Sequence, residues 1–97
     1  MTEYILFMHG DAPVDPVMGD WSVYIASLKK AGRFDGGSGI GDGQCYRKTG
    51  IAPPTSDQIT GYIRIRAIDL AEARNFLAGN PVFEAGGTVE IRELPKT

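Results

Sequence analysis

The 97-residue sequence predicts one α+β domain, residues 1–97, with elements in the order β-α-β-(insert)-β-α-β. Three observations carry this. Residues 59–67 alternate apolar and polar side chains at the period of a strand. Met18, Trp21, Ile25 and Leu28 recur at helical spacing, and Asp69-Leu70-Ala71-Glu72 forms a capping box ahead of a second helix. A chain of this length builds one hydrophobic core and has no room for a separate catalytic domain.

The elements follow in order. Residues 3–9, Glu-Tyr-Ile-Leu-Phe-Met-His, are rich in aromatic and branched side chains and predict a strand apolar on both faces. Asp15-Pro16 reads as an N-cap followed by proline at the first helical position, giving a helix over 16–31 that ends at Lys29, Lys30 and Gly32. Arg33-Phe34-Asp35 opens a second strand. Gly36 to Gly43, with glycine at 36, 37, 39, 41 and 43, predicts a bent or mobile glycine-rich hairpin, and Gln44 to Lys48 a further short strand. Pro53 and Pro54 mark a loop. In the 59–67 strand, Ile59, Ile63, Ile65 and Ala67 point one way and Thr60, Tyr62, Arg64 and Arg66 the other. The second helix runs from Asp69 to about Ala78, with Leu70, Ala73 and Leu77 on its apolar side. Asn80-Pro81 stops it, and Gly87 to Leu94 form the last strand with Val89 and Ile91 on one face.

Two right-handed βαβ units joined this way give a ferredoxin-like split sheet with both helices on one face. On this reading Ile5 and Phe7 cover the helices, while Tyr4, Leu6 and Met8 form an apolar second face. Such a face calls for a cover, most simply a second subunit.

Composition excludes several classes. The apolar and charged fractions, 42% and 23%, are ordinary globular values. The longest apolar run, Tyr4 to Met8, is far short of the roughly 20 residues a membrane span needs. Ten basic and twelve acidic residues leave a net charge of −2, with no footprint for nucleic acid or an anionic membrane. Cys45 is the single cysteine, so no internal disulfide forms, and no Cys/His cluster suggests zinc; neither metal nor cofactor is expected. No basic, then apolar, leader is readable, so the expected location is the cytoplasm.

The candidate chemistry is sparse. His9, the only histidine, stands two residues from Asp11, a spacing that suits a general base and its orienting carboxylate or a plain strand-end imidazole. The glycine run could cradle a phosphate, but no helix follows it, so a hairpin is favoured. Tyr62, Arg64 and Arg66 form a face suited to a small anionic or planar ligand, or to an interface in which an arginine pairs with Glu90. Trp21 is either core or the wall of a cleft. A site is expected where these converge: His9 and Asp11 as catalytic candidates, with Trp21, Tyr62 and Arg64 as ligand-binding candidates.

Tyr4-Ile5-Leu6, the Trp21-centred helix ending Leu28-Lys29-Lys30-Ala31-Gly32, Gly61-Tyr62-Ile63, Asp69 to Ala73, Asn80-Pro81 and Gly86-Gly87-Thr88-Val89-Glu90-Ile91-Arg92 together resemble the YciI-like, or YCII-related, family in its DGPF-domain branch. The DGPF signature itself is missing. The resemblance implies a ferredoxin-like, dimeric α/β barrel with a cleft near the subunit interface. Some relatives carry a helix-1 histidine and an aspartate before the proline after helix 2, proposed as an acid/base pair. Here helix 1 has no histidine and the aspartate position is Asn80, whose amide takes up no proton at neutral pH. The resulting expectation is a homodimer that binds a small molecule or serves as an accessory or regulatory module; the alternative is a small lyase- or hydrolase-like enzyme with His9 as base.

Overall fold

The computed structural model describes residues 1–56 and 58–96. Its elements are β1 (Thr2–His9), α1 (Asp20–Lys30), β2 (Phe34–Gly39), β3 (Ile59–Ala67), α2 (Leu70–Asn75), α3 (Pro81–Glu84) and β4 (Val89–Leu94). The strands form one antiparallel sheet in the order β2-β3-β1-β4. This α+β arrangement is compatible with a ferredoxin-like split βαβ fold.

The core lies on one face of the sheet. Tyr4, Leu6 and Met8 from β1 and Ile63, Ile65 and Ala67 from β3 pack there against Tyr24 and Leu28 of α1, with Ala73, Leu77 and Val82 from the second half. The expected facing of β1 is thus reversed: Tyr4, Leu6 and Met8 meet the helices, whereas Ile5, Phe7 and His9 lie half-buried on the open face. A strand apolar on both sides has no period-2 signal to orient it, so the register with β3 decides. That register pairs Leu6 with Ile63 and Tyr4 with Ile65, and directly opposed residues share a face. The β3 alternation itself is as expected.

Four local expectations are corrected. Helix α1 starts at Asp20, with Gly19 as a cap that makes no side-chain hydrogen bond; Asp15 and Pro16 lie before it. Val17 and Met18 instead close a turn onto Asp20 and Trp21, because Gly19 and the β-branched Val17 favour helix weakly. The glycines at 36, 37 and 39 lie inside β2 rather than in a hairpin, and Gln44 to Lys48 are irregular because no strand pairs with them. Helix α2 ends at Asn75, with Leu70 exposed. Asn80-Pro81 does not merely end a helix: it starts α3, where the Asn80 carboxamide oxygen accepts from the Val82 and Phe83 amides at 3.0 and 3.1 Å. The Asp69 cap holds, since its carboxylate accepts from the Glu72 amide at 2.9 Å.

Candidate functional site

Strand β2 pairs with β3 through Gly37↔Ile63 and Gly39↔Gly61, and β3 pairs with β1 through Gly61↔Met8. Met8 and Ile63 point to the helices, so Gly37, Gly39 and Gly61 all omit a side chain on the helix-facing side. The missing side chains open a cleft of about 480 Å³ between this part of the sheet and the start of α1. The glycines differ in why they are required. A Cβ on Gly37 would stand 2.6 Å from the Tyr62 carbonyl oxygen, which no side chain tolerates. A Cβ on Gly61 would meet the Ser38 carbonyl at 3.2 Å, whereas one on Gly39 would find open space, with its nearest neighbour at 4.0 Å.

Trp21 and Ile25 line the cleft from α1, Met18 and Pro16 from the residues before it, Phe34 from β2 and Val82 from α3. Trp21 is held edge-on against Tyr24, with ring centroids 6.2 Å apart. Ser38, Thr60 and Tyr62 border the cleft from the sheet, but their side chains lie on the sheet's other face, so the polar groups offered to it are backbone and the Trp21 indole N–H; no acidic or basic residue lines it. Met18 stands 76% exposed at the mouth although its spacing placed it on the core stripe; Tyr24, one turn on from Trp21, takes the core position at 2%. The sequence offered Trp21 as the wall of a cleft but did not reveal the opening in the sheet. Its signal is three glycines on one face of two paired strands, visible only once the register is known.

The expected site residues divide between the two sheet faces. Trp21 walls the cleft and Tyr62 borders it through its backbone, with its side chain on the open face; His9, Asp11 and Arg64 do not border it. On the open face Phe7 stands opposite Tyr62 and Ile5 opposite Arg64, so His9, Tyr62 and Arg64 share a side without any bulge at Gly61. His9 Nε2 is 3.0 Å from Glu90 Oε1, and Arg92 donates to the other Glu90 oxygen at 3.2 Å. These contacts, the histidine's first, hold the Glu90 carboxyl below its ordinary range. Asp11 does not orient His9. Its carboxylate accepts from the Thr88 amide at 2.8 Å and the Thr88 hydroxyl at 2.6 Å, and the hydroxyl bond leads in lowering its pKa. Within this chain Arg64 pairs with Glu3 at 3.1 Å and Arg66 with Asp35 at 3.1 Å.

Asn80 is fully buried beside Tyr24, whose hydroxyl donates to the Phe76 carbonyl at 2.7 Å. Burial pushes the Tyr24 phenol above its ordinary pKa, and the Asn80 side chain opposes the rise. The position that could have held an acid is thus a cap and a packing group. Among the described residues, no three His, Cys, Asp or Glu side chains lie together as a metal site would require, and no helix is long and apolar enough to cross a membrane.

Residues 4–96 match the model of the YCII-related domain. Among solved structures, the chain is similar in fold to 5-chloro-2-hydroxyhydroquinone dehydrochlorinase from Burkholderia phenoliruptrix AC1100, determined in complex with 2,5-dihydroxybenzoquinone. The TM-score is 0.53 at 14% sequence identity, over 98% of this chain and 95% of that one. No curated protein matches.

Proposed function

The chain belongs to the YCII-related family, and from that premise we propose that it is a small-molecule-binding domain that works as a homodimer and holds its ligand in the Trp21 cleft. The observation that carries this reading is the cleft itself: about 480 Å³, within the size range of small-ligand sites, apolar with a few polar groups, and opened by glycines on one face. The fold neighbour is an enzyme solved with a small cyclic organic compound, which agrees with a small organic ligand. The dimer reading now rests on Ile5, Phe7 and Tyr62, half-buried on the face away from the helices, and no longer on Tyr4, Leu6 and Met8.

A thermal-shift screen of small organic compounds tests the cleft. Binding to the folded state raises the melting temperature by mass action. Compounds that stabilise the wild type are expected to lose the effect in Gly39→Val, which fills the cleft, and to keep it in His9→Ala. Hits indifferent to Gly39→Val and lost in His9→Ala overturn the reading.

A second reading is favoured by the 3.0 Å His9–Glu90 contact. An imidazole held by a carboxylate is an acid/base pair, and it would act on a substrate lying on the open face next to Tyr62 and Arg64. His9→Ala separates the two: it abolishes turnover under this reading and leaves cleft binding unchanged under the first.

A further inference from the structure

We propose that Gly39 sets the size limit of the Trp21 cleft: the side chain missing at this position decides how long an uncharged, mainly apolar ligand can be. The proposal rests on the ligand-binding reading above and adds the position that determines specificity.

Gly37, Gly39 and Gly61 line the sheet side of the cleft. The fold itself explains Gly37 and Gly61. A Cβ on Gly37 would come within 2.6 Å of the Tyr62 carbonyl oxygen, and one on Gly61 would crowd the Ser38 carbonyl at 3.2 Å. Those neighbours are backbone held in the ladder, which does not step aside as the end of a flexible side chain does. Gly39 is under no such constraint. The nearest atom to a Cβ there is the Thr60 carbonyl oxygen at 4.0 Å, an ordinary contact. Its backbone conformation does not demand glycine either: β2 enters the left-handed region at Gly36, with φ 116°, and not at Gly39.

Glycine weakens a strand. It has no side chain to pack, and ordering it loses more backbone entropy than ordering any other residue. A strand glycine that neither contact nor conformation requires breaks a local rule, and such breaks mark functional positions. What Gly39 contributes is the space it leaves.

That space belongs to the cleft. Gly37 pairs with Ile63, whose side chain is buried in the core, and Gly39 pairs with Gly61. Positions two apart on a strand share a face, so a side chain at 39 would enter the cleft from the sheet side. The side chains that line the cleft with it, among them Met18, Trp21, Ile25 and Phe34, are apolar, and none is acidic or basic. Such a lining gains affinity by burying ligand carbon, about fourfold per methylene, until room runs out.

The test is a series of unbranched 1-alkanols, butanol to decanol, titrated calorimetrically into the full chain. Trp21 is the only tryptophan, so its emission, read in parallel, reports occupancy of the cleft. Wild-type affinity is expected to rise about fourfold per methylene up to a cut-off length and to level off beyond it. In Gly39→Ala and Gly39→Val the cut-off should come about one and about three carbons earlier, because close-packed surroundings register single methylenes. Alkanols shorter than the new cut-off should bind as they do to the wild type. A compound that fills the wild-type cleft is therefore lost in Gly39→Val, and one too short to reach residue 39 is kept. Gly39→Ala should hold the wild-type melting temperature; a fall as large as in Gly37→Ala means that the fold requires both glycines and overturns the proposal. An absent cut-off, an unshifted one, or an equal loss at every length also overturns Gly39 as the size limit. In those cases a change in Trp21 emission on binding leaves the cleft standing as the ligand site. Alkanols that bind without moving that emission, and bind Trp21→Leu equally well, lie outside the cleft and overturn the size limit and the ligand reading together. If no alkanol binds, the size limit falls, and the thermal-shift screen decides the cleft separately.

Discussion

Asn80 is the most committed polar residue in the fold. It is fully buried, and its carboxamide oxygen serves two amides at the start of α3. Asn80→Ala leaves both donors unpaired away from water, and should lower the unfolding free energy by about 1–3 kcal/mol in urea denaturation. The carboxylates on the open face set a different dependence. Asp11 and Glu90 both have folded pKa values below their ordinary ones, the first through Thr88 and the second through His9. They bind protons less readily folded than unfolded, so their contribution to stability is present above the unfolded values near ~4 and is lost as pH falls below them. The Asp11→Asn, Glu90→Gln double variant should show a flatter melting-temperature profile below about pH 4 than the wild type. A profile of unchanged slope there would mean these contacts do not persist in solution. The sequence placed His9 and Asp11 together because they stand two positions apart, with only Gly10 between them. Their partners lie 81 and 77 positions away on the β4 side, and that register is long-range information that local spacing does not contain.

At the scale of elements, the strands were legible and their faces only partly so. The β3 alternation was readable from Ile63, Ile65 and Ala67 because polar residues separate them. The β1 run from Tyr4 to Met8 has no polar residue to mark a side, and its orientation follows from pairing alone. The glycines of β2 argued against a strand on propensity, yet Phe34–Gly39 pairs with β3 because tertiary context overrides that preference. The same glycines now separate by role. Gly37→Ala drives a methyl against the Tyr62 carbonyl and should cost about 1–3 kcal/mol, as overpacking does. Gly39→Ala has room and should stay within about 1 kcal/mol of the wild type. Equal losses by chemical denaturation would contradict the β2–β3 register.

The whole molecule is longer than its residue count implies. Its radius of gyration is 14.7 Å with extents of 46 × 37 × 19 Å, against about 12.5 Å for a compact chain of this length. The segment between β2 and β3 holds neither helix nor strand over residues 40–56. Among the described residues, the backbone hydrogen bonds that tie it down lie at its two ends, Ile40 N to the Thr60 carbonyl and Gly10 N to the Gln58 carbonyl. Tyr46 and Ile51 stand 85% and 92% exposed within it. Limited trypsin digestion should therefore cut first after Arg47 or Lys48 and leave the two flanking fragments associated. Light scattering at micromolar concentration should give twice 10.5 kDa if the Ile5–Phe7–Tyr62 face is an interface; a monomer would return that face to solvent.

What separates this account from its rival is which side of the sheet meets a ligand. Amide NMR with a ligand drawn from the thermal-shift screen reads this directly. The account predicts shifts at the Trp21 indole and at the Gly37, Gly39 and Gly61 amides, with His9, Thr88 and Glu90 unmoved. Shifts confined to His9, Thr88 and Glu90, with the Trp21 indole still, would contradict it and place the function on the open face.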